Sequence, residues 1–335
     1  MNQQEAQQAL LQMGTSFLLS KALYVAAKLN VADALANGPL SIDDLSNQVE
    51  AESKKLYRIM RALSSMGIFH EEPNRHFSLN PVAEYLKSDI SGSFRSTIMM
   101  FNEETYEAAG DLLHAAQTGS TPFDHRFGVP LFEFIQQHPE KGTLFNQAMV
   151  ELNGADLDIA LEEYDFSEAK IVADIGGGLG HALQKVLSLY PGIRGVLFDQ
   201  PEVIEGASAI IENSGFSDRI DLVPGNFFES IPVKADIYLV SRVLHDWSDE
   251  ENVLILKNIA ASAHSDIRLV IGECVIGAPN VPDFGIIADL IMMSLLSGEE
   301  RRMSEFEAIL NAAGFEMIRV IQTKSKMSLV EGRLK

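Results

Sequence analysis

Val172-Ala-Asp-Ile-Gly-Gly-Gly-Leu-Gly180 joins an apolar run ending in an acid to four glycines, and a helical run from His181 to Tyr190 follows at once. A strand, a glycine turn and a helix in direct succession make a ligand crevice at the carboxyl edge of a parallel sheet. Glycines there let backbone N–H groups approach a ligand without Cβ interference. A dinucleotide-binding turn reads G-x-G-x-x-G around a pyrophosphate, whereas this turn reads D-x-G-x-G-x-G. A sulfonium cofactor carries no phosphate, and Asp174 at the strand end suits its amino group. Spacing alone leaves a dehydrogenase open as the rival reading.

Working outward, strand-like runs alternate with helical ones from Lys170 onward: Ile171 to Ile175, Gly195 to Phe198, Ile220 to Val223, Ile237 to Val240 and Leu269 to Ile271. This alternation predicts a parallel sheet with helices on both faces. Phe315 to Gln322 and Met327 to Val330 close the chain, separated only by Thr323-Lys-Ser-Lys326. That link is too short for a parallel crossover, so the last pair is predicted to be an antiparallel hairpin. The strand ends carry polar groups. Asp199 can accept both ribose hydroxyl protons of an adenosine, and in Pro224-Gly-Asn-Phe-Phe228 the amide of Asn226 can bond an adenine edge while Phe227 lies against its face. His245, in Tyr238-Leu-Val-Ser-Arg-Val-Leu-His-Asp-Trp247, falls just beyond the fourth strand. Histidine is the natural general base near neutral pH.

Before this region, residues 5 to 35 show a helical pattern with a broad apolar face that needs a partner. Ser41 is placed to cap a helix at Ser41-Ile-Asp-Asp. Ser53 to Met66 forms a second helix ended by Gly67, and Ile68 to Leu79 reads as two short strands around a Pro-Asn turn. Helix, helix, hairpin is the order of a winged helix. Residues 41 to 80 hold five Lys or Arg against six Asp or Glu, which supplies no footprint for phosphates. Association with a second copy is therefore preferred to DNA binding. Residues 92 to 165 are helical in pattern and rich in Phe and Met. The division is placed at residue 105, with 106–335 carrying the chemistry and 106–168 as a helical segment able to wall an aromatic ligand.

The whole-chain composition agrees. A length of 335 residues favours two domains, and a net charge of −21 opposes nucleic-acid and anionic-membrane partners. No basic leader or run of about 18 uninterrupted apolar residues occurs, which predicts a cytoplasmic protein. One cysteine, Cys274, excludes an internal disulfide and a Cys-based metal site, and its apolar setting makes it a buried bystander.

Asp174 to Gly180, Asp199, Gly225 to Phe228 and Leu244-His-Asp-Trp247 recur in the order found in the plant-type caffeate and acetylserotonin O-methyltransferases. The chain resembles that family over nearly its whole length, most of all the bacterial branch acting on phenolic polyketides and related secondary metabolites. The resemblance implies a class I methyltransferase sheet with an antiparallel last strand, behind a mostly helical winged-helix domain that forms homodimers. It implies S-adenosylmethionine as cofactor, S-adenosylhomocysteine as product, no metal, and a phenolic substrate such as a hydroxyanthraquinone.

By the same resemblance, Gly176 and Gly178 touch the methionyl part, Asp199 the ribose, and Gly225, Asn226 and Phe227 the adenine end. Ser241 stands near the amino-acid end, where the plant pattern has Lys, and Asn226 replaces a family Asp. Arg242 is a candidate for the missing charge. His245 is the proton acceptor, flanked by Glu273 and by Glu300, with Glu299 as rival for the second acid. A solvated charge run over Glu299-Glu-Arg-Arg302 is the plainer reading of that segment. Phe145 and Met149, with Met292 or Met293 opposite, are the expected substrate contacts, although core packing is the commoner use of such residues. A winged-helix regulator that senses a small ligand is the non-catalytic alternative.

Overall fold

The computed structural model describes residues 2–335, Asn153 by its backbone, as two compact units. The chain up to Leu113 forms the first together with His125–Leu152, and His114–Asp124 with Asn153–Lys335 forms the second.

In the first unit the helix Gln3–Lys28 is opened by a capping box between Asn2 and Glu5. Among the described residues it is the one helix long and apolar enough, by length and composition, to cross a membrane, and it leaves Leu10, Leu11, Met13, Phe17 and Leu18 exposed. Ser41 caps Ile42–Gln48 as expected, its hydroxyl accepting from Asp44 N–H at 3.1 Å. The next helix, Ser53–Ser65, buries Leu56, Met60 and Leu63 on one face. The wing consists of β2 (His70–Glu72) and β3 (His76–Ser78) around a Pro73–Arg75 turn, and a strand not anticipated, β1 (Leu40–Ser41), adds to β3. Two residues are too few to show a period in sequence.

The helical segment 106–168 is divided between the units. Within the first, Glu103 holds Lys141 at 2.7 Å and Glu151 accepts the Thr97 N–H at 2.8 Å, which fastens part of the long helix Pro139–Glu162 there. The helix's end belongs to the second unit, where Ala160 and Leu161 are fully buried.

The second unit is built on a seven-stranded sheet of β4 (Ile171–Ile175), β5 (Arg194–Asp199), β6 (Ile220–Pro224), β7 (Ile237–Ser241), β8 (Arg268–Glu273), β11 (Phe315–Gln322) and β12 (Ser328–Leu334). Two short strands between them, β9 (Val275–Ile276) and β10 (Arg301–Arg302), pair separately and in parallel. The large sheet runs β11-β12-β8-β7-β4-β5-β6, parallel throughout except for β12, which is antiparallel to both its neighbours. The expected reversed strand is thus present. Both faces are covered, one by Leu256, Ile259, Phe306 and Ile309, the other by Leu161, Leu183, Val186 and Ile211. That explains why these strands read as continuous apolar runs rather than alternating ones.

Candidate active site

The carboxyl ends of the central strands lie level, because Asp174 is in register with Leu197 and Leu239, and Ser241 with Gly272. Every residue that follows a strand there is delivered to one rim.

At the glycine turn, Gly176 and Gly178 take left-handed φ of 72° and 57°, which only glycine adopts readily. A Cβ on Gly178 would meet nothing within 4 Å, so the turn is open on that side. Asp199 braces it, accepting Gly178 N–H at 2.8 Å and Gln200 N–H at 2.7 Å. Burial raises the Asp199 carboxyl above its usual value, against these two backbone bonds. Asp174 lies beneath the turn, fully buried, with Oδ2 lacking any hydrogen-bond partner. Burial, with Asp199 adding its charge, pushes it up to about 7. An unpaired buried carboxylate costs several kcal/mol by desolvation, on the order of 2–7 for a polar group alone, so a cationic partner at this point would be strongly favoured. At the rim beyond β6, Asn226 is exposed, its Oδ1 accepting Phe228 N–H at 3.0 Å. Phe227 packs edge-on against Phe228 and Trp247, with centroids at 4.8 and 5.9 Å, and Gly225 stands where a Cβ would strike the Phe198 ring at 2.6 Å. An acid, an open glycine cradle, a second acid with remaining lone pairs and an aromatic face match an adenosyl amino acid without a phosphate.

The catalytic candidates converge beside this cradle. Val243 packs on Gly176, and the chain then makes one tight turn, Leu244–Asp246. Glu273, at the end of β8 and wholly buried, grips that turn twice. Its Oε1 accepts the N–H groups of Val243 at 3.0 Å and Leu244 at 2.9 Å, and its Oε2 faces His245 Nδ1 at 2.8 Å. With Glu273 ionised, Nδ1 carries the hydrogen and Nε2 is the basic nitrogen. Burial raises the Glu273 carboxyl, but His245, Arg242 and the Val243 N–H outweigh it and hold the group below its usual value. For His245, burial and Arg242 favour the neutral ring, yet Glu273 and Asp246 prevail and its pKa is raised.

Arg242 follows β7 in a left-handed conformation, φ 55°, a strained geometry that costs on the order of 1–3 kcal/mol outside glycine. The turn sends its guanidinium to Glu300 Oε1 at 3.0 Å and Glu273 Oε2 at 3.4 Å. Arg242, the sequence's candidate for the cofactor carboxylate, is engaged by these two buried acids through Nη1, while its buried Nε has no hydrogen-bond partner. Ser241 turns its hydroxyl toward Met327 Sδ at 4.0 Å. Of the two rival acids, Glu300 is buried in this cluster while Glu299 is exposed and pairs with Arg301 at 3.7 Å. Burial keeps Glu300 above its usual value despite Arg242.

Sequence reasoning missed four participants. Asp246 Oδ1 stands 3.2 Å from His245 Nε2. Arg301, Asn252 and Gly298 support the turn from outside. Only the adjacency of Asp246 to His245 gave any sign, because a buried arginine inside a charge run and a buried asparagine inside a helix look like surface residues. Phe145 and Met149, both half-buried, lie in the first unit, Phe145 edge-on to Phe132 at 6.4 Å, and half-buried Met292 lies in the second on the helix Phe284–Leu295. No group of three or more His, Cys, Asp or Glu among the described residues is arranged to hold a metal ion.

Comparison with known proteins agrees with this architecture. Residues 109–316 match the O-methyltransferase domain and residues 11–89 the O-methyltransferase dimerisation domain. A phenazine O-methyltransferase from Lysobacter antibioticus is 38% identical over 324 residues, spanning 97% of this chain and 95% of its own. Among solved structures, the mitomycin 7-O-methyltransferase superposes with a TM-score of 0.90 at 30% identity, covering 99% of this chain and 98% of that one. A methyltransferase of calicheamicin biosynthesis in its S-adenosylhomocysteine-bound form gives 0.90 at 28% identity with full coverage of both chains. Nothing in these findings supports the dehydrogenase or the ligand-sensing regulator. The chain belongs to the S-adenosylmethionine-dependent O-methyltransferases of the plant type, with the family's dimerisation domain ahead of its catalytic domain.

Proposed function

We propose that this enzyme methylates a hydroxyl on a planar fused-ring phenol of secondary metabolism, a hydroxyphenazine or a hydroxyanthraquinone, with His245 as proton acceptor. The observation that carries the reading is the His245 Nδ1 to Glu273 contact of 2.8 Å, which leaves Nε2 as the base beside the glycine cradle. A phenol's pKa near 10 is close enough to that of a carboxylate-supported imidazole for one positioned base to help. When bound, S-adenosylmethionine supplies the electrophilic methyl and leaves as S-adenosylhomocysteine. Glu273 stabilises the imidazolium that forms, while Arg242 ties Glu273 to Glu300 and keeps both acids in place. The name of the phenazine relative supports a flat ring system. Phe145, Met149 and Met292 remain the proposed apolar contacts to it.

The test is mass spectrometry after incubation with S-adenosylmethionine and a panel of hydroxyphenazines, hydroxyanthraquinones, catechols and hydroxyindoles, each beside its amino analogue. Gain of one methyl by a fused-ring phenol is expected. Methylation of the amino analogues alone would reject oxygen as the acceptor.

Asp174 is proposed to pair with the cofactor's ammonium, with Gly176, Gly178, Asp199, Gly225, Asn226 and Phe227 holding the rest and Ser241 near the amino-acid end. In the free protein Asp174 stays neutral below about 7, and only its ionised form offers a counter-charge. Cofactor affinity should therefore rise with pH up to that value. Linkage predicts S-adenosylhomocysteine binding stronger by on the order of tenfold at about pH 7.5 than at about pH 5.5. Titration calorimetry on wild type and Asp174→Asn checks it: a pH dependence that survives in Asp174→Asn would remove Asp174 from this role.

The exposed apolar face of Gln3–Lys28 is read as covered by a second copy, since the dimerisation match begins at residue 11, within this helix. A homodimer follows.

A further inference from the structure

We propose that Arg301, together with Asn252, is a positioning residue for methyl transfer, holding the carbonyl side of the turn that carries His245. The proposal rests on the reading of His245 as proton acceptor. The turn Leu244–Asp246 is a single tight turn closed by only two long backbone bonds of its own, Asp246 N–H to Val243 O at 3.2 Å and Trp247 N–H to Leu244 O at 3.3 Å, so its position depends on outside partners. Glu273 takes its N–H side through Val243 and Leu244. Its carbonyl side is taken by two side chains. Arg301 donates from Nη1 to Leu244 O at 2.9 Å and from Nη2 to Trp247 O at 2.8 Å. Asn252 Nδ2 donates to the same two oxygens at 2.9 and 3.1 Å. His245 and Asp246 are the two residues between, so the His245 ring is aimed by a turn gripped at both ends.

Arg301 is 1% exposed, and among the described residues its one carboxylate partner within hydrogen-bond distance, Asp249 at 2.8 Å, is itself more than half exposed. Removing a guanidinium from water without a buried counter-ion is costly, so plain stability gives little reason for arginine here. A planar fork of donors explains it, because Nη1 and Nη2 reach carbonyls three residues apart in one fixed geometry. Neighbouring residues reinforce this. Arg301 lies in β10, paired in register with Val275 just past Glu273, and directly follows Glu300. One short segment thus fixes the distance between both acids and the histidine turn. A catalytic group must be held within about 0.5 Å to be productive, and this clamp supplies that restraint.

A double-mutant cycle tests the clamp. Arg301→Met is assayed in the wild-type and His245→Gln backgrounds for kcat, its pH profile and S-adenosylhomocysteine affinity. In the wild type, kcat should fall roughly 10- to 100-fold with cofactor affinity retained. The acid limb should move to lower pH, because a loosened His245 loses the Glu273 contact that raises its pKa. Arg301→Lys should recover part of kcat, and in His245→Gln the Arg301→Met change should cost little. Asn252→Ala probes the same two oxygens from the helix Asp249–Ser262 and carries the test if Arg301→Met does not fold. Equal losses in both backgrounds, or a loss with an unmoved acid limb, would overturn the clamp. A wild-type rate in His245→Gln alone would instead reject His245 as base, and the proposal with it.

Discussion

Gly298→Ala is expected to lower methyl transfer by about 100-fold or more while S-adenosylhomocysteine still raises the melting temperature. A Cβ at this position would stand 1.9 Å from the His245 carbonyl oxygen and 2.5 Å from the Asp246 carbonyl carbon. No heavy atom tolerates such a contact, and neither neighbour is a side chain that could swing away. Either the His245 turn or the 298–301 segment must move. Both carry groups of the cluster, since Glu300 reaches Arg242 and Arg301 reaches Leu244 O. A displacement of ~1 Å at a catalytic group costs on the order of 100-fold in rate, and overpacking of this kind costs typically 1–3 kcal/mol of stability. Gly176 and Gly178 themselves lie outside both moving segments and touch the His245 turn through Val243, so S-adenosylhomocysteine binding is the control for a loss confined to methyl transfer. A variant with the wild-type kcat would show that the turn can shift without consequence and that the geometry described for His245 is not the productive one.

His245→Ala should reduce kcat by roughly 100- to 10,000-fold, the usual contribution of one positioned general base, and should abolish the acid limb of the pH–rate profile. The sign follows from the surroundings. Burial and Arg242 oppose a proton on the ring, Glu273 and Asp246 favour it more strongly, and the pKa is raised. The base form therefore fills only above the ordinary histidine value near 6.5, so wild-type kcat should climb with pH through a midpoint on the alkaline side of it. Asp246 Oδ1 stands 3.2 Å from Nε2, so a substrate hydroxyl must take that place to reach the base. Measurement of kcat against pH for both proteins decides the matter: an undiminished rate with an unchanged profile removes His245 from proton transfer.

Much of the sheet was legible because strands buried on both faces are apolar throughout and end at polar rim residues. Ile171–Ile175 and Phe315–Gln322 were placed to the residue, and the four-residue link before Met327 required the hairpin that reverses β12. Capping chemistry is equally local, so Ser41 was identified from its neighbours alone. The candidates Asp174, Asp199 and His245 were visible because strand ends in an open parallel sheet share one edge.

The support of the site was not legible, for a reason that applies residue by residue. Arg301 and Glu299 have the same sequence context, yet one is buried against carbonyls from 54 and 57 positions earlier and the other faces solvent. Arg242 is drawn to Glu273 and Glu300 by a left-handed turn that no local propensity predicts for arginine. Gly298 has no φ requirement and looked like an ordinary loop glycine until the His245 backbone was found against it. The sequence by itself determined the sheet and its polar rim, since these follow from periodicity and strand order, and it offered His245 at a strand end as the candidate base. Only the tertiary structure decided what holds that base in place, because hydrogen bonds between segments some fifty residues apart leave no periodic trace in either segment.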